Sequence, residues 1–100
     1  MKVTARIISI GEQRKGENER GAWCAQDVEV TWKEEGVNGF IDHKAVISVS
    51  AWLDQDRLKK AIEQKEDIEV RMYFDTREYN NRKFNQIRGY LPEDFKIKTL

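Results

Sequence analysis

The sequence contains one cysteine, one proline and one histidine among its 100 residues. Cys24 has no partner for an internal disulfide, which favours a cytoplasmic location. His43 alone offers little for a histidine metal cluster or a catalytic triad. No apolar run reaches the roughly 18 residues of a membrane span, and neither a signal peptide nor a P-loop is visible. We therefore predict no membrane contact, cofactor, metal site or enzymatic activity.

The sequence also has no excess of charge of either sign. Eighteen basic and eighteen acidic residues give a formal net charge of zero and a pI of about 6.6. Dedicated nucleic-acid-binding domains often have a pI above about 9. Any nucleic-acid binding by this chain must therefore come from a local patch of cations.

Segments of alternating polar and apolar residues predict five strands in one domain, residues 1–100. The predicted strands are Lys2–Ile10, Ala22–Trp32, Phe40–Trp52, Ile68–Phe74 and Lys83–Leu91. The doubled Ile7-Ile8 indicates a bulge in the first strand. Charged segments 11–21 and 33–39 are predicted as loops, and residues 92–100 as a tail with Phe95 and Ile97 folded back.

One helix is predicted over Asp54–Lys65, with Asp54 as its N-cap and a narrow apolar stripe that includes Leu58. The order is then three strands, the helix and two strands. This order predicts an all-β fold with one helix, a five-stranded OB-fold Greek-key barrel with the helix between strands 3 and 4. An open α+β sheet is the alternative, and the position of the helix favours the barrel.

The last two strands form a predicted hairpin with Asn80 and Asn81 in its turn, since asparagine tolerates positive φ. Its inward residues are predicted to be Ile68, Val70, Met72, Phe74 and Ile87. The rest of the hairpin interleaves cations with aromatic rings, which suits a single-stranded nucleic acid whose bases stack and whose phosphates pair with cations. These residues are Arg71, Tyr73, Arg77, Tyr79, Arg82, Lys83, Phe84, Arg88 and Tyr90.

The region from Val46 to Gly89 resembles the second half of a bacterial single-stranded DNA-binding protein (SSB). The resemblance lies in VISVSAW, the helix and IEVRMYFDTREY, and REYNNRKFNQIRGY is similar to the last hairpin of short bacterial and phage proteins of this type. It implies an OB-fold and single-stranded DNA binding, with Tyr79 as the hairpin aromatic. The chain departs from the pattern at 64–67, where SSBs carry a glycine, and in its short tail without an acidic tip. The partner-recruiting role of a full SSB is therefore not expected.

Four aromatic residues are candidates for base stacking, and their alternative role is to cover barrel ends or a subunit interface. They are Trp23, Trp52, Tyr79 and Phe84. Two groups of cations are expected to flank one groove, Arg14, Lys15 and Arg20 after the first strand and Arg77, Arg82 and Lys83 in the last hairpin. Outward acids such as Asp27 and Asp75 oppose phosphate binding. Trp32 and Cys24 are predicted in the core.

These residues predict a homo-oligomeric protein that binds single-stranded DNA with little sequence preference, with RNA as the other nucleic acid to consider. Stacking rings and loop arginines supply the contacts. The alternative is an OB-fold module for protein–protein interaction or oligomerisation that binds no nucleic acid. The zero net charge favours this alternative, whereas the cations in both flanking segments favour the DNA-binding function.

Overall fold

A computed structural model of the chain describes residues 1–97, except for the side chains of Arg77 and Tyr79. The end of the predicted tail, residues 98–100, lies outside the described residues. Five strands and one helix follow each other as predicted, and a 3-10 turn at Glu93–Phe95 comes after them. Their bounds are β1 Lys2–Asn18, β2 Gly21–Gly36, β3 Gly39–Val49, α1 Gln55–Glu63, β4 Ile68–Tyr79 and β5 Arg82–Tyr90.

The strands close into a barrel in the order β1-β2-β3-β5-β4. β4 returns to pair antiparallel with β1, and β5 pairs parallel with β3 at Ile47 and Ser48. α1 joins β3 to β4 and packs against β1. This connectivity is that of the OB-fold, so the predicted fold class is confirmed.

The prediction of loops at 11–21 and 33–39 is wrong, because both segments belong to long hairpins. β1 continues to Asn18, and β2 extends to Gly36 before β3 starts at Gly39. Gly21 and Gly39 begin the returning strands with a φ of 113°, a conformation that favours glycine. The ends of these hairpins project beyond the barrel wall, where both faces meet solvent, so no apolar alternation marks them as strands.

The bounds of the other three strands also differ from the prediction. β3 ends at Val49, which leaves Trp52 outside the sheet, and β4 and β5 extend as one hairpin to the turn at Asn80 and Asn81. Both asparagines have the predicted positive φ, 49° and 63°. The bulge predicted at Ile7-Ile8 is present as a shift of register between Ile7 and Ser9.

The core fills the barrel with the alternating apolar side chains that the sequence indicates. It includes Val28, Val30, Ile47, Val70 and Phe95, and the predicted burial of Cys24 and Phe95 is confirmed, while Trp32 packs against the core only partly buried. Phe74 and Ile97 are exposed, contrary to prediction. Phe74 is 83% exposed because β4 pairs with β1 only as far as Arg71 and then leaves the barrel wall.

A pair of glutamine side chains connects the barrel to the start of α1. Gln26 on β2 is 1% exposed, and its Nε2 donates to the carbonyl oxygen of Gly11 at 2.8 Å and to Gln55 Oε1 at 3.0 Å. Gln55 Nε2 donates in return to Gln26 Oε1 at 2.8 Å and to the carbonyl oxygen of Leu53 at 3.1 Å. These bonds satisfy a buried amide and fix α1 against β1 and β2.

Replacing Gln26 with leucine is expected to lower the free energy of unfolding by about 1–3 kcal/mol, because it removes the hydrogen bond to the Gly11 carbonyl and both hydrogen bonds to the Gln55 side chain. Urea denaturation measures the loss. Gln13→Leu is the matched control, since Gln13 lies opposite Gln26 on β1 and is only half-buried. An equal change in both variants would contradict this role for the Gln26 bonds.

An ion cluster connects α1 to the chain on either side of β4 and β5. The Arg57 guanidinium binds Glu66 through two hydrogen bonds of 2.8 and 2.9 Å and also contacts Asp94 at 3.0 Å. Arg57 also lies over the ring of Phe95, with 4.2 Å between its Cζ and the ring centroid. The hydrogen bonds from Arg57 lower the pKa of Glu66 below that of an ordinary glutamate.

This lowered pKa predicts a pH-dependent contribution of Glu66 to stability. Because the folded-state pKa is depressed, the contribution is complete above the unfolded pKa of about 4.3 and is lost as the pH falls through the folded value. Wild type is therefore expected to exceed Glu66→Gln in unfolding free energy by a constant amount at about pH 6–8, and by less as the pH drops below about 4.3. Urea denaturation across this range, with exposed Glu63→Gln as control, tests it; a pH-independent difference contradicts it.

Candidate nucleic-acid interface

A surface groove lies over β2 and β3, at the place where β5 separates from β3. β5 pairs with β3 only at Ile47 and Ser48, so the projecting β4–β5 hairpin diverges from β3 and leaves an open cleft. Two adjoining concavities here share Arg14, Ser48 and Gln86 and form one groove. Its further lining is Asn18, Trp23, Cys24, Ala25, Asp27, Val46, Ser50, Phe74, Asn85, Ile87 and Arg88.

Trp23 provides an aromatic ring at one end of this groove. It lies opposite Gly16 in the β1–β2 hairpin, and its side chain remains 41% exposed. A Cβ added to Gly16 would lie only 2.6–2.8 Å from atoms of the indole ring. Glycine at this position therefore allows the ring to lie close against β1. The sequence alone does not indicate this role for Gly16, because its proximity to Trp23 depends on the register of a hairpin that was predicted as a loop.

Arg14 crosses the groove from β1. Its Nη2 lies 3.1 Å from Asp27 Oδ1 on β2 and 3.5 Å from Ser48 Oγ on β3. The hydrogen bond to Asp27 raises the pKa of the Arg14 guanidinium, so Arg14 is charged at any physiological pH. The side chain is about half exposed, which makes this a surface ion pair that a ligand can compete for.

Arg88, one of the interleaved cations of the last hairpin, is a second cation of the groove. Its Nε lies 3.3 Å from Asp75 Oδ2 and is shielded from solvent, without the alignment of a hydrogen bond. Alternation places Arg88 on the same face of β5 as Gln86 and Tyr90. The alternating pattern contained this information, but only the contact between β3 and β5 brings Arg88 to the groove.

Lys15 and Trp52 do not line the groove. Residues opposite each other in an antiparallel pair share a face, so Lys15 lies on the face of Cys24, away from Trp23. Lys15 Nζ lies 5.5 Å from the centroid of the Trp52 ring, a cation–π contact. These two residues therefore form a separate site on the other face of the β1–β2 hairpin.

The remaining candidate residues lie toward the hairpin tips. Arg20 is in the β1–β2 turn, while Arg82, Lys83 and Phe84 lie at the start of β5, with all three side chains exposed. Arg82 and Phe84 alternate onto the face of Gln86, and Lys83 onto the other face. Arg77 and Tyr79 lie on β4, but their side chains are outside the described residues.

Among the described side chains, the groove contains two cations, each beside a carboxylate, together with an exposed indole ring and small polar side chains. Both flanking hairpins border it, through Arg14 from β1 and Gln86 from β5. Across residues 1–97, no group of three or more histidine, cysteine or acidic side chains is placed to hold a metal ion. No helix within that range is long and apolar enough to cross a membrane.

Comparison with known proteins identified no matching family model and no matching curated protein. Among solved structures, the chain is similar to a small single-stranded DNA-binding protein from Streptomyces coelicolor. The identity is 11% and the TM-score 0.46, over 91% of this chain and 88% of the other. A likeness this distant carries no weight for function, and the OB-fold assignment rests on the strand connectivity.

Proposed function

We propose that this protein binds single-stranded DNA, with little sequence preference, in the groove over β2 and β3. The observation that carries the proposal is the placement of the exposed Trp23 ring in the same groove as Arg14 and Arg88. Single-strand binders combine an aromatic ring, on which any base stacks, with cations that follow the backbone. The resemblance of Val46 to Gly89 to the SSB pattern supports the same function.

In the proposed complex, one base stacks on Trp23 and neighbouring phosphates contact Arg14 and Arg88. Asp27 and Asp75 keep these guanidinium groups in place in the free protein and must be partly displaced by phosphate. Arg20, Arg82 and Lys83 attract the strand from the hairpin tips, and Phe84 offers a further ring. Arg77 and Tyr79 are proposed to contribute from the same hairpin, and Lys15 with Trp52 to contact a longer strand on the other face.

Titration of the protein with oligo-dT at low salt, followed by tryptophan fluorescence, tests the proposed function. Stacking on Trp23 is expected to quench the emission, and the logarithm of affinity is expected to fall linearly with the logarithm of salt, with a slope of about −0.7 per phosphate contacted. A parallel titration with oligo-U compares RNA with DNA. Micromolar protein that shows neither quenching nor retention of labelled oligo-dT would refute DNA binding.

Removal of the acidic charge beside Arg14 is expected to strengthen DNA binding. Asp27→Asn is expected to increase oligo-dT affinity by about 1.4- to 5-fold, because Arg14 loses a competing partner worth about 0.2–1 kcal/mol. Asp42→Asn on β3 is the matched control, since it makes the same change in net charge at an exposed position that lines neither concavity of the groove. Fluorescence anisotropy of labelled oligo-dT measures both affinities. Equal gains for the two variants would show only a general charge effect and contradict the local competition.

Exposed apolar side chains at the end of the β2–β3 hairpin favour a second candidate function, a protein–protein or homo-oligomer interface. Val37 is fully exposed, and Phe40 and Ile41 are mostly exposed. Aromatic residues are enriched at interfaces, and the buried centre of an interface is more apolar than the rest of the protein surface. Light scattering of wild type and Phe40→Ser distinguishes the possibilities: a smaller assembly with unchanged DNA affinity supports an interface separate from the groove, and a wild-type monomer contradicts the homo-oligomer.

A further inference from the structure

Tyr73 and Tyr90 form a stacked aromatic pair on the outer surface of β4 and β5. Their ring centroids are 5.8 Å apart at an interplanar angle of 26°, and their hydroxyl oxygens are 3.3 Å apart. Tyr73 is 41% exposed and Tyr90 is 53% exposed, so the pair keeps ring surface open to solvent. The hydrogen bond with Tyr73 raises the pKa of the Tyr90 hydroxyl above its ordinary 10, so Tyr90 carries no negative charge near neutral pH.

The register places this tyrosine pair directly beyond the groove. Arg88 lies opposite Ser48 of β3 on one side and opposite Tyr73 of β4 on the other. Neighbouring strands are about 4.8 Å apart, so the tyrosine pair begins roughly one strand spacing past the Arg88 edge of the groove. Trp23, Arg88 and the tyrosine pair thus follow one another in space around the outside of the barrel.

Cations lie beside the tyrosine pair, as they do beside Trp23. Lys2, Arg71 and Lys96 line the concavity beside the rings. Lys2 is 3.6 Å from Glu69 and Lys96 is 2.9 Å from Glu93, whereas Arg71 has no ion-pair partner among the described residues. An arginine without a counter-ion beside exposed rings matches the charge of a phosphodiester backbone.

We infer that the single strand continues from the groove across Arg88 onto Tyr73 and Tyr90, where a further base stacks and Arg71 contacts a phosphate. This inference rests on the proposed function, because it extends the same bound strand. It assigns the outer face of β4 and β5 as a second stacking site, which a short oligonucleotide in the groove does not reach. The alternative role of the pair is a cross-strand contact that only stabilises the hairpin.

The length dependence of affinity separates these two roles. Site sizes for OB-folds range over about 4–16 nucleotides, so a short oligo-dT of about 5 nucleotides should occupy the groove and one of about 16 should also reach the tyrosines. Tyr90→Ala is expected to weaken binding of the long oligonucleotide by about 5- to 150-fold and to leave the short one unchanged. Tyr90→Phe, which keeps the ring and removes the hydroxyl, is expected to retain wild-type affinity for both lengths.

The outcomes also separate this inference from the proposed function. If wild type binds both lengths and Tyr90→Ala changes neither, or changes both equally, the extended path is overturned while binding in the groove stands. If wild type binds no oligonucleotide, both fail. Photocrosslinking of wild type to a 16-nucleotide oligo-dT with 5-iodouracil at single positions avoids any folding defect of the variant. A crosslink at Tyr73 or Tyr90 supports the path, and crosslinks confined to groove residues overturn it.

Discussion

Phe95→Ala is expected to lower the free energy of unfolding by about 3–5 kcal/mol, the largest effect predicted for a single substitution in this chain. The ring is 1% exposed, packs in the core and lies under the Arg57 guanidinium. The backbone at the same position also holds the segment after β5 to the start of α1, since the amide of Asp54 donates to the carbonyl oxygen of Phe95 at 2.8 Å. For a domain whose total stability is about 5–15 kcal/mol, such a loss approaches global unfolding.

Thermal and urea denaturation measure this effect. The melting temperature should fall by roughly 12 °C or more, given about 4–8 °C for each kcal/mol in a domain of this size. Phe84→Ala is the matched control, because it removes the same ring from an exposed position on β5 and should change stability by less than about 0.5 kcal/mol. Phe95→Leu provides a folded variant if the alanine variant does not fold. Similar stabilities of Phe95→Ala and Phe84→Ala would show that the segment after β5 does not complete the core.

Trp23→Ala is expected to weaken binding of oligo-dT by about 5- to 150-fold, which corresponds to about 1–3 kcal/mol for one stacked base. The expectation follows from the position of the ring beside Arg14 and Arg88 in the groove. Trp52→Ala is the matched control, because the ring of Trp52 has similar exposure but lies with Lys15 outside the groove. No comparable loss is expected for Trp52→Ala with an oligonucleotide that only fills the groove.

Anisotropy of labelled oligo-dT is the suitable readout, because each substitution removes one of the three tryptophans and changes the intrinsic fluorescence. Gly16→Ala adds an independent test: its methyl group would overlap the Trp23 ring and must displace it, so affinity should fall although no binding group is removed. Circular dichroism establishes that each variant is folded. A larger loss in Trp52→Ala than in Trp23→Ala would place the primary stacking site on the other face of the β1–β2 hairpin.

The barrel was predictable because it rests on alternating apolar residues such as Val28, Val30 and Val70, and on the order of strands around one helix. The error at Phe74 shows the limit of this reasoning. Alternation along β4 continues beyond the point where β1 stops pairing with it, so the same pattern describes a buried residue at Met72 and an exposed one at Phe74. Sequence periodicity records the direction of a side chain but not whether another strand covers it.

The sequence by itself determined the fold class, the N-cap at Asp54 and the asparagine turn. It also showed that the chain carries many aromatic rings and cations. These properties follow from local backbone preferences and from the alternation of apolar residues, and both depend on residues close together in the chain. Only the tertiary structure decided that Arg14, Trp23 and Arg88 share one groove and that Trp52 and Lys15 lie outside it. Their proximity depends on strand register and on the separation of β5 from β3, which are set by contacts between residues far apart in the chain.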